Sequence, residues 1–280
     1  MAMSITFQQA ATRPVAVNGT EFVYRELGEK SGIPLVMLHH LTAVLDDWDP
    51  RVVDGLAVKH HVIAFDNRGV GASGGSTPNT VEAMAQDAVA FMGALGFSKV
   101  DLLGFSLGGF VSQVIAQQQP DLVRKIILAG TGPAGGEGIL NIGAVLQNAF
   151  AKAEAAHKHP KQFLFFTQTR NGQAAAGEFL GRLKERTADL DTPVSNETVQ
   201  AQIAAILAWG HGNATALGTV KHPVLVANGD DDVMVPTPNS FELARRLPNA
   251  ELSIFPDAGH GGIFQYNAVF VQQALAFLQA

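Results

Sequence analysis

The feature that most constrains this chain is the stretch Lys99-Val100-Asp101-Leu102-Leu103-Gly104-Phe105-Ser106-Leu107-Gly108-Gly109-Phe110. An apolar run of strand type ends abruptly in Gly-x-Ser-x-Gly, and a helix-type pattern starts at once. A strand that turns straight into a helix brings two backbones close together, and small residues on either side of the turn allow that approach. The turn lifts the Ser106 hydroxyl clear of the sheet. It also aims the first free N–H groups of the helix at any negative charge developing beside it. Glycine and serine are common loop residues, so the motif alone says little. Its setting, strand before and helix after, is what marks Ser106 as a candidate nucleophile.

The flanking segments repeat this rhythm. Residues 12–17 and 21–27 read as two strands joined at Asn18-Gly19, a strong hairpin signal. Residues 34–40, 61–66, 125–130 and 222–229 are apolar runs of the kind buried on both faces of a parallel sheet. Residues 251–255 make the last strand. Helical periods or stops bound residues 47–58, 80–95 (with Asn79 or Thr80 as cap), 107–119, 240–247 and 267–278. The alternation predicts an α/β fold with a doubly wound, mostly parallel, eight-stranded sheet. The rhythm breaks after Gly132-Pro133. From 134 to 219 only helix-like segments follow, at 139–157, 162–169, 173–188 and 196–209. That is too much helix for one crossover, so 134–219 reads as a helical cap inserted into a core made of 1–133 and 220–280.

With 47% hydrophobic and 16% charged residues, the chain can bury a sizeable core. A net charge of −6 gives no reason to expect nucleic acid or an anionic membrane surface as partner. The absence of cysteine excludes disulfides, thiolate catalysis and thiolate zinc sites. No His/Asp/Glu cluster has metal-ligand spacing, and nothing calls for a cofactor. Residues 1–6 lack a basic region followed by an apolar stretch, and no apolar run of about 18 residues occurs. The expectation is a soluble cytoplasmic protein acting on a small molecule, with homo-oligomerisation left open.

A serine hydroxyl becomes a nucleophile when a neighbouring base takes its proton, and that base is usually a histidine held by a carboxylate. Two downstream loops, each following a buried strand, supply these groups: Asn228 through Pro236, with Asp230, Asp231 and Asp232, and Pro256 through Gly262, with His260. Both belong at the carboxyl ends of strands, where a crevice opens in folds of this class. The order serine, aspartate, histidine is the one expected when the nucleophile sits on such a turn.

Gly104 to Gly109, Phe65-Asp66-Asn67-Arg68-Gly69-Val70-Gly71-Ala72-Ser73, Gly229 to Pro236 and Ala258-Gly259-His260 together resemble the α/β-hydrolase superfamily over nearly the full length. The resemblance implies a cap after the sixth strand and an acid three residues past the glycine and four before the proline of its loop. That register selects Asp232. It further implies an oxyanion hole made by the backbone N–H of Leu107 and of Leu41, in the loop His39-His40-Leu41-Thr42, where His40 stands in place of the usual glycine. His40 could itself reach the substrate. Asp66 to Gly69 resembles a structural loop that braces the site, and His39 is expected to pack behind the oxyanion loop. Phe105, Phe166 and Trp209 are further pocket candidates, the two cap aromatics reading equally as cap core. The resemblance implies hydrolysis of a small ester or lactone through an acyl-enzyme. Alternatives on the same three residues are a cofactor-free haloperoxidase or perhydrolase and a carbon–carbon bond hydrolase. A prolyl aminopeptidase using Glu154, Glu178 or Glu185, and a hydrolase-like ligand-binding receptor, stand further off. Dehalogenases and epoxide hydrolases need an aspartate where this chain has Ser106.

Overall fold

The structure, a computed structural model, describes residues 5–280, for Thr215 and Ala216 the backbone alone. Met1 to Ser4, part of the N-terminal stretch read above, lie outside the described residues. The strands are β1 (Arg13–Val17), β2 (Thr20–Leu27), β3 (Leu35–Leu38), β4 (Val62–Phe65), β5 (Val100–Phe105), β6 (Val123–Ala129), β7 (Val224–Gly229) and β8 (Ala250–Phe255). They form one sheet in the order β1-β2-β4-β3-β5-β6-β7-β8. β1 and β2 pair antiparallel around Asn18 and Gly19, whose φ angles of 48° and 78° suit a tight hairpin. β2 is antiparallel to β4, and the remaining pairs are parallel. β3, β4, β5 and β7 are buried along their whole length, as their unbroken apolar runs require. The strand order reverses around β5, so the chain leaves β3 and β5 on opposite sides of a crevice.

The helices are α1 (Pro50–Ala57), α2 (Val81–Ala94), α3 (Leu107–Gln118), α4 (Ile142–Ala156), α5 (Lys161–Leu164), α6 (Arg170–Leu183), α7 (Asn196–Gly210), α8 (Pro238–Arg246), α9 (Gly262–Gln265) and α10 (Asn267–Gln279). None is long and apolar enough to cross a membrane. α2 packs on α3 and α1 on α10. Thr80 caps α2 by accepting the Ala83 N–H.

Three expected helices differ from the sequence reading. The helix expected over 47–58 begins only at Pro50, because the residue before a proline is pushed out of the helical region and Asp49 is extended, with ψ at 116°. Residues Leu45–Asp47 form a separate 3-10 turn. The helix expected over 162–169 ends at Leu164, since Phe165 and Phe166 turn inward to pack on Phe179. The third, expected to reach 188, stops at Leu183. Arg186 leaves the helix to donate to the carbonyls of Gln8 and Ala10. α9, directly after the His260 loop, has no sequence signal of its own among its glycines.

Between β6 and β7 the described residues hold α4 to α7 and no strand. Buried polar contacts tie this helical insertion to the sheet. Asp66, fully buried at the end of β4, and Asp191, between α6 and α7, both accept the Leu45 N–H, at 3.0 and 3.2 Å. Gly71 sits against the pair: a Cβ there would lie 2.3 Å from Asp66 Oδ2 and 2.9 Å from Asp191 Oδ1. A buried carboxyl with a second carboxyl beside it resists ionisation. Burial, and then the neighbouring Asp191, lift the Asp66 carboxyl well above the usual carboxylate range. The folded state therefore binds a proton at Asp66 that the unfolded chain has released. Its stability is intact below the ordinary aspartate pKa and falls as pH rises through the raised one. Asp66→Asn keeps an oxygen for Leu45 N–H and cannot ionise. Urea unfolding from about pH 5 to about pH 8 is expected to show the variant gaining stability relative to wild type as pH rises. A pH-independent difference between the two proteins would contradict the raised Asp66 carboxyl.

Candidate active site

Ser106 joins β5 to α3 with φ 57° and ψ −116°, a conformation that costs a non-glycine residue about 1–3 kcal/mol. Surrounding bonds hold it there. Its N–H donates to Ala129 O at 2.9 Å, and its carbonyl accepts from Gly109 N–H and Thr131 Oγ1, both at 2.8 Å. The flanking glycines are sterically required. A Cβ on Gly104 would lie 2.4 Å from Gly108 O, and one on Gly108 would lie 2.1 Å from Leu38 O of β3.

The loop after β7 carries Asp230, Asp231 and Asp232. Asp230 and Asp231 are exposed, while Asp232 is buried. Asp232 Oδ1 accepts the N–H groups of Met234 and Val235 at 2.8 and 3.0 Å, which fixes the carboxylate. Its Oδ2 lies 2.8 Å from His260 Nδ1. Asp230 braces the neighbouring loop by accepting the Ala258 N–H at 3.2 Å. With Nδ1 donating to Asp232, a neutral His260 carries its lone pair on Nε2. That nitrogen is buried and has no hydrogen-bond partner among the described residues, Ser106 Oγ included. Such bonds often close only when substrate is bound. The His260 ring rests on Phe105, centroids 4.9 Å apart, and Gly261 N–H donates to Phe165 O of the insertion at 2.7 Å.

The N–H groups of Leu41 and Leu107 donate to no protein acceptor among the described residues. Leu107 is the first residue of α3, where the helix leaves its N–H groups unpaired. Leu41 and Ser106 line one cavity. Phe110 adds to its core side, Ile139, Ile142 and Ile206 come from the insertion, and Met234 and Val235 follow Asp232. Its free volume is about 10 Å³, room for roughly one water.

The four side chains expected to line a substrate pocket do not line this cavity. His40 stands edge-on between Phe105 and Phe165, and Phe105 lies fully buried beneath His260. Phe166 packs on Phe179 and borders a separate opening beside Val145 and Lys152. Trp209 stacks on Phe110 at 5.2 Å and donates its indole N–H to Gly132 O. Large rings bury most area by packing on one another, and here they brace the site from behind. The lining is aliphatic instead. Ile139 and Ile142 share a helical face, and Met234 and Val235 lie two and three residues after Asp232, so both signals were present in the sequence. Glu154, Glu178 and Glu185 are absent from the lining, and Glu185 pairs with Arg51 at the surface. His39 packs on Trp48 behind the loop, and burial pushes its imidazole down to about 4.

A family model for the alpha/beta hydrolase fold matches residues 33–265. The chain is 30% identical over 236 residues to a putative carbamate hydrolase RutD of Caulobacter sp. strain K31, covering 82% of this chain and 85% of that one. It is 28% identical over 278 residues to a non-heme chloroperoxidase of Streptomyces lividans, covering 94% and 98%. An alpha/beta hydrolase fold protein from Chitinophaga pinensis superposes with a TM-score of 0.93 at 42% identity, covering 98% of this chain and 99% of that one. The strand order, the strained turn between β5 and α3 and these matches agree: the chain belongs to the alpha/beta hydrolase fold family.

Proposed function

We propose that this hydrolase cleaves a small ester or lactone through an acyl-enzyme, with Ser106 as nucleophile, His260 as base and Asp232 as the group that orients it. The observation that carries the reading is the buried Asp232–His260 pair, 2.8 Å apart, with Nε2 left without a partner. As Ser106 Oγ attacks the carbonyl carbon, its proton passes to Nε2, and Asp232 stabilises the imidazolium. The N–H groups of Leu41 and Leu107 receive the oxyanion; each such donor is typically worth about 3–4 kcal/mol. His260 then returns the proton to the leaving alkoxide. Water, losing its proton to His260, attacks the acyl-enzyme and frees the acid and Ser106. These steps ask for no cofactor.

Residues 134–219 serve in this reading as the cap. Ile139, Ile142 and Ile206 close the cavity to about 10 Å³, so substrate enters only as they move outward. An aliphatic wall with Ser106 as its one polar side chain favours a short apolar acyl group. The kcat/KM for p-nitrophenyl acetate or propionate is expected to exceed that for the decanoate at least about tenfold. Equal values would contradict the cavity assignment.

Similarity to a chloroperoxidase over 94% of the chain favours one second reading, in which hydrogen peroxide captures the acyl-enzyme and yields a peracid. Two measurements test these readings together. Ser106→Ala is expected to lower turnover of p-nitrophenyl acetate roughly 10⁴-fold or more. Retained wild-type turnover overturns the mechanism. A fluorophosphonate is expected to add its mass at Ser106, and labelling elsewhere overturns the assignment of the nucleophile. Peracid made from acetate and peroxide faster than ester is hydrolysed would replace the first reading with the second.

A further inference from the structure

The loop after β3 holds a strained residue that the chemistry above leaves unexplained. His40 O accepts the Ala43 N–H at 3.2 Å, closing a four-residue turn, and Thr42, its third residue, has φ 64°. A positive φ at the third position alone is the type II arrangement, which favours glycine or asparagine there. A β-branched threonine in that region is an outlier. Type I and type II turns differ by the turning over of the central peptide, here Leu41–Thr42. That peptide is gripped on both sides. Its carbonyl, Leu41 O, lies 2.8 Å from His40 Nδ1, and its N–H, on Thr42, donates to Gln202 Oε1 at 2.8 Å. A carbonyl only accepts, so His40 carries its proton on Nδ1. Burial, then the charge of Lys161, hold His40 well below the ordinary histidine range, and the ring stays a neutral donor. Its Nε2 is buried without a partner, and Phe105 and Phe165 pack edge-to-face against the ring, with centroids at 5.3 and 5.2 Å. Gln202, on α7, is 2% exposed.

We propose that His40 and Gln202 are positioning residues that clamp the Leu41–Thr42 peptide and thereby hold the adjoining Leu41 N–H at the cavity over Ser106. The inference rests on the reading of Leu41 as an oxyanion donor. It accounts for His40 in the place where the family resemblance puts glycine: the imidazole supplies a bond that glycine cannot. It also makes the oxyanion hole a joint product of core and insertion. His40 follows β3, whereas Gln202 comes from a helix docked over it.

A donor aimed at the oxyanion acts on kcat rather than KM. Gln202→Leu, which removes the acceptor at similar size, is expected to lower kcat for p-nitrophenyl acetate roughly 10- to 100-fold, with KM within about threefold of wild type. Gln202→Glu keeps an oxygen at the same reach and is expected to recover most of that loss. His40→Phe keeps the packing between Phe105 and Phe165 and is expected to lose kcat as Gln202→Leu does. Thermal unfolding and far-UV circular dichroism confirm that each variant compared is folded. If one leucine or phenylalanine variant fails to fold, the other decides the matter. Wild-type kcat in the folded variants, or a loss confined to KM, overturns the clamp. Failure of the hydrolase reading looks different: wild type would show neither Ser106-dependent turnover nor label at Ser106, and the clamp would then fall with it.

Discussion

The chain cannot pass from β5 into α3 at the centre of this sheet without forcing Ser106 into the left-handed region, and the rest of the site is arranged around that constraint. Gly108 touches the Leu38 carbonyl at the end of β3, so the turn sets the spacing between α3 and the neighbouring strand as well as the pose of Ser106. Leu107 stands at the head of that helix and Leu41 three residues beyond Leu38. One close backbone approach therefore fixes how the two candidate oxyanion amides stand to each other. Any side chain at position 108 would push apart the two elements that must converge.

Polar contacts hold the insertion over this centre. Carboxylates of the core each meet a different part of the insertion: Asp46 accepts the Asp191 N–H between α6 and α7, Asp47 takes Lys161 of α5, and Asp49 takes Arg182 of α6. Burial would raise the Asp47 carboxyl, yet the Lys161 charge wins and holds it near 2. Buried ion pairs contribute little net stability, because desolvation offsets most of the attraction. What they supply is a penalty for any other placement, since a misdocked insertion would leave the buried Asp49 without its cation. Apolar helices alone could slide on one another; these contacts give the docking a register.

How much of this could be read from the sequence follows from the range of the interactions. The eight strands, the Ser106 turn and the Thr80 cap each leave a signature within a few residues of sequence, and local patterns reveal them even where their partners lie far along the chain. The Asp232–His260 pair spans 28 residues, and chain order together with strand ends was enough to bring it forward. The cavity wall was not legible, because it depends on which face of α4 and α7 meets the sheet. The aromatic candidates Phe166 and Trp209 went inward to pack on other rings, leaving isoleucines to line the space. Helix ends at 164 and 183 failed for the same reason: Phe165 and Arg186 are drawn off their helices by partners far along the chain. The hydrogen bond from Thr42 to Gln202 crosses 160 residues, and no local signal points to it.

Two non-glycine residues with left-handed backbone, Ser106 and Thr42, border the machinery, and they are held by different means. Bonds within the core hold Ser106, to Ala129, Gly109 and Thr131. Thr42 relies on Gln202 from the insertion. Gln202 lies one turn of α7 before Ile206, which helps roof the cavity. An outward displacement of α7 that frees Ile206 must also draw Gln202 away from Thr42. In the proposed mechanism Ser106 is thus ready whether the cavity is open or shut, whereas the Leu41 loop is fully braced only when it is shut. On the proposed reading, a cavity of about 10 Å³ must open to admit substrate, and this coupling would tie assembly of the oxyanion hole to closure over the bound molecule.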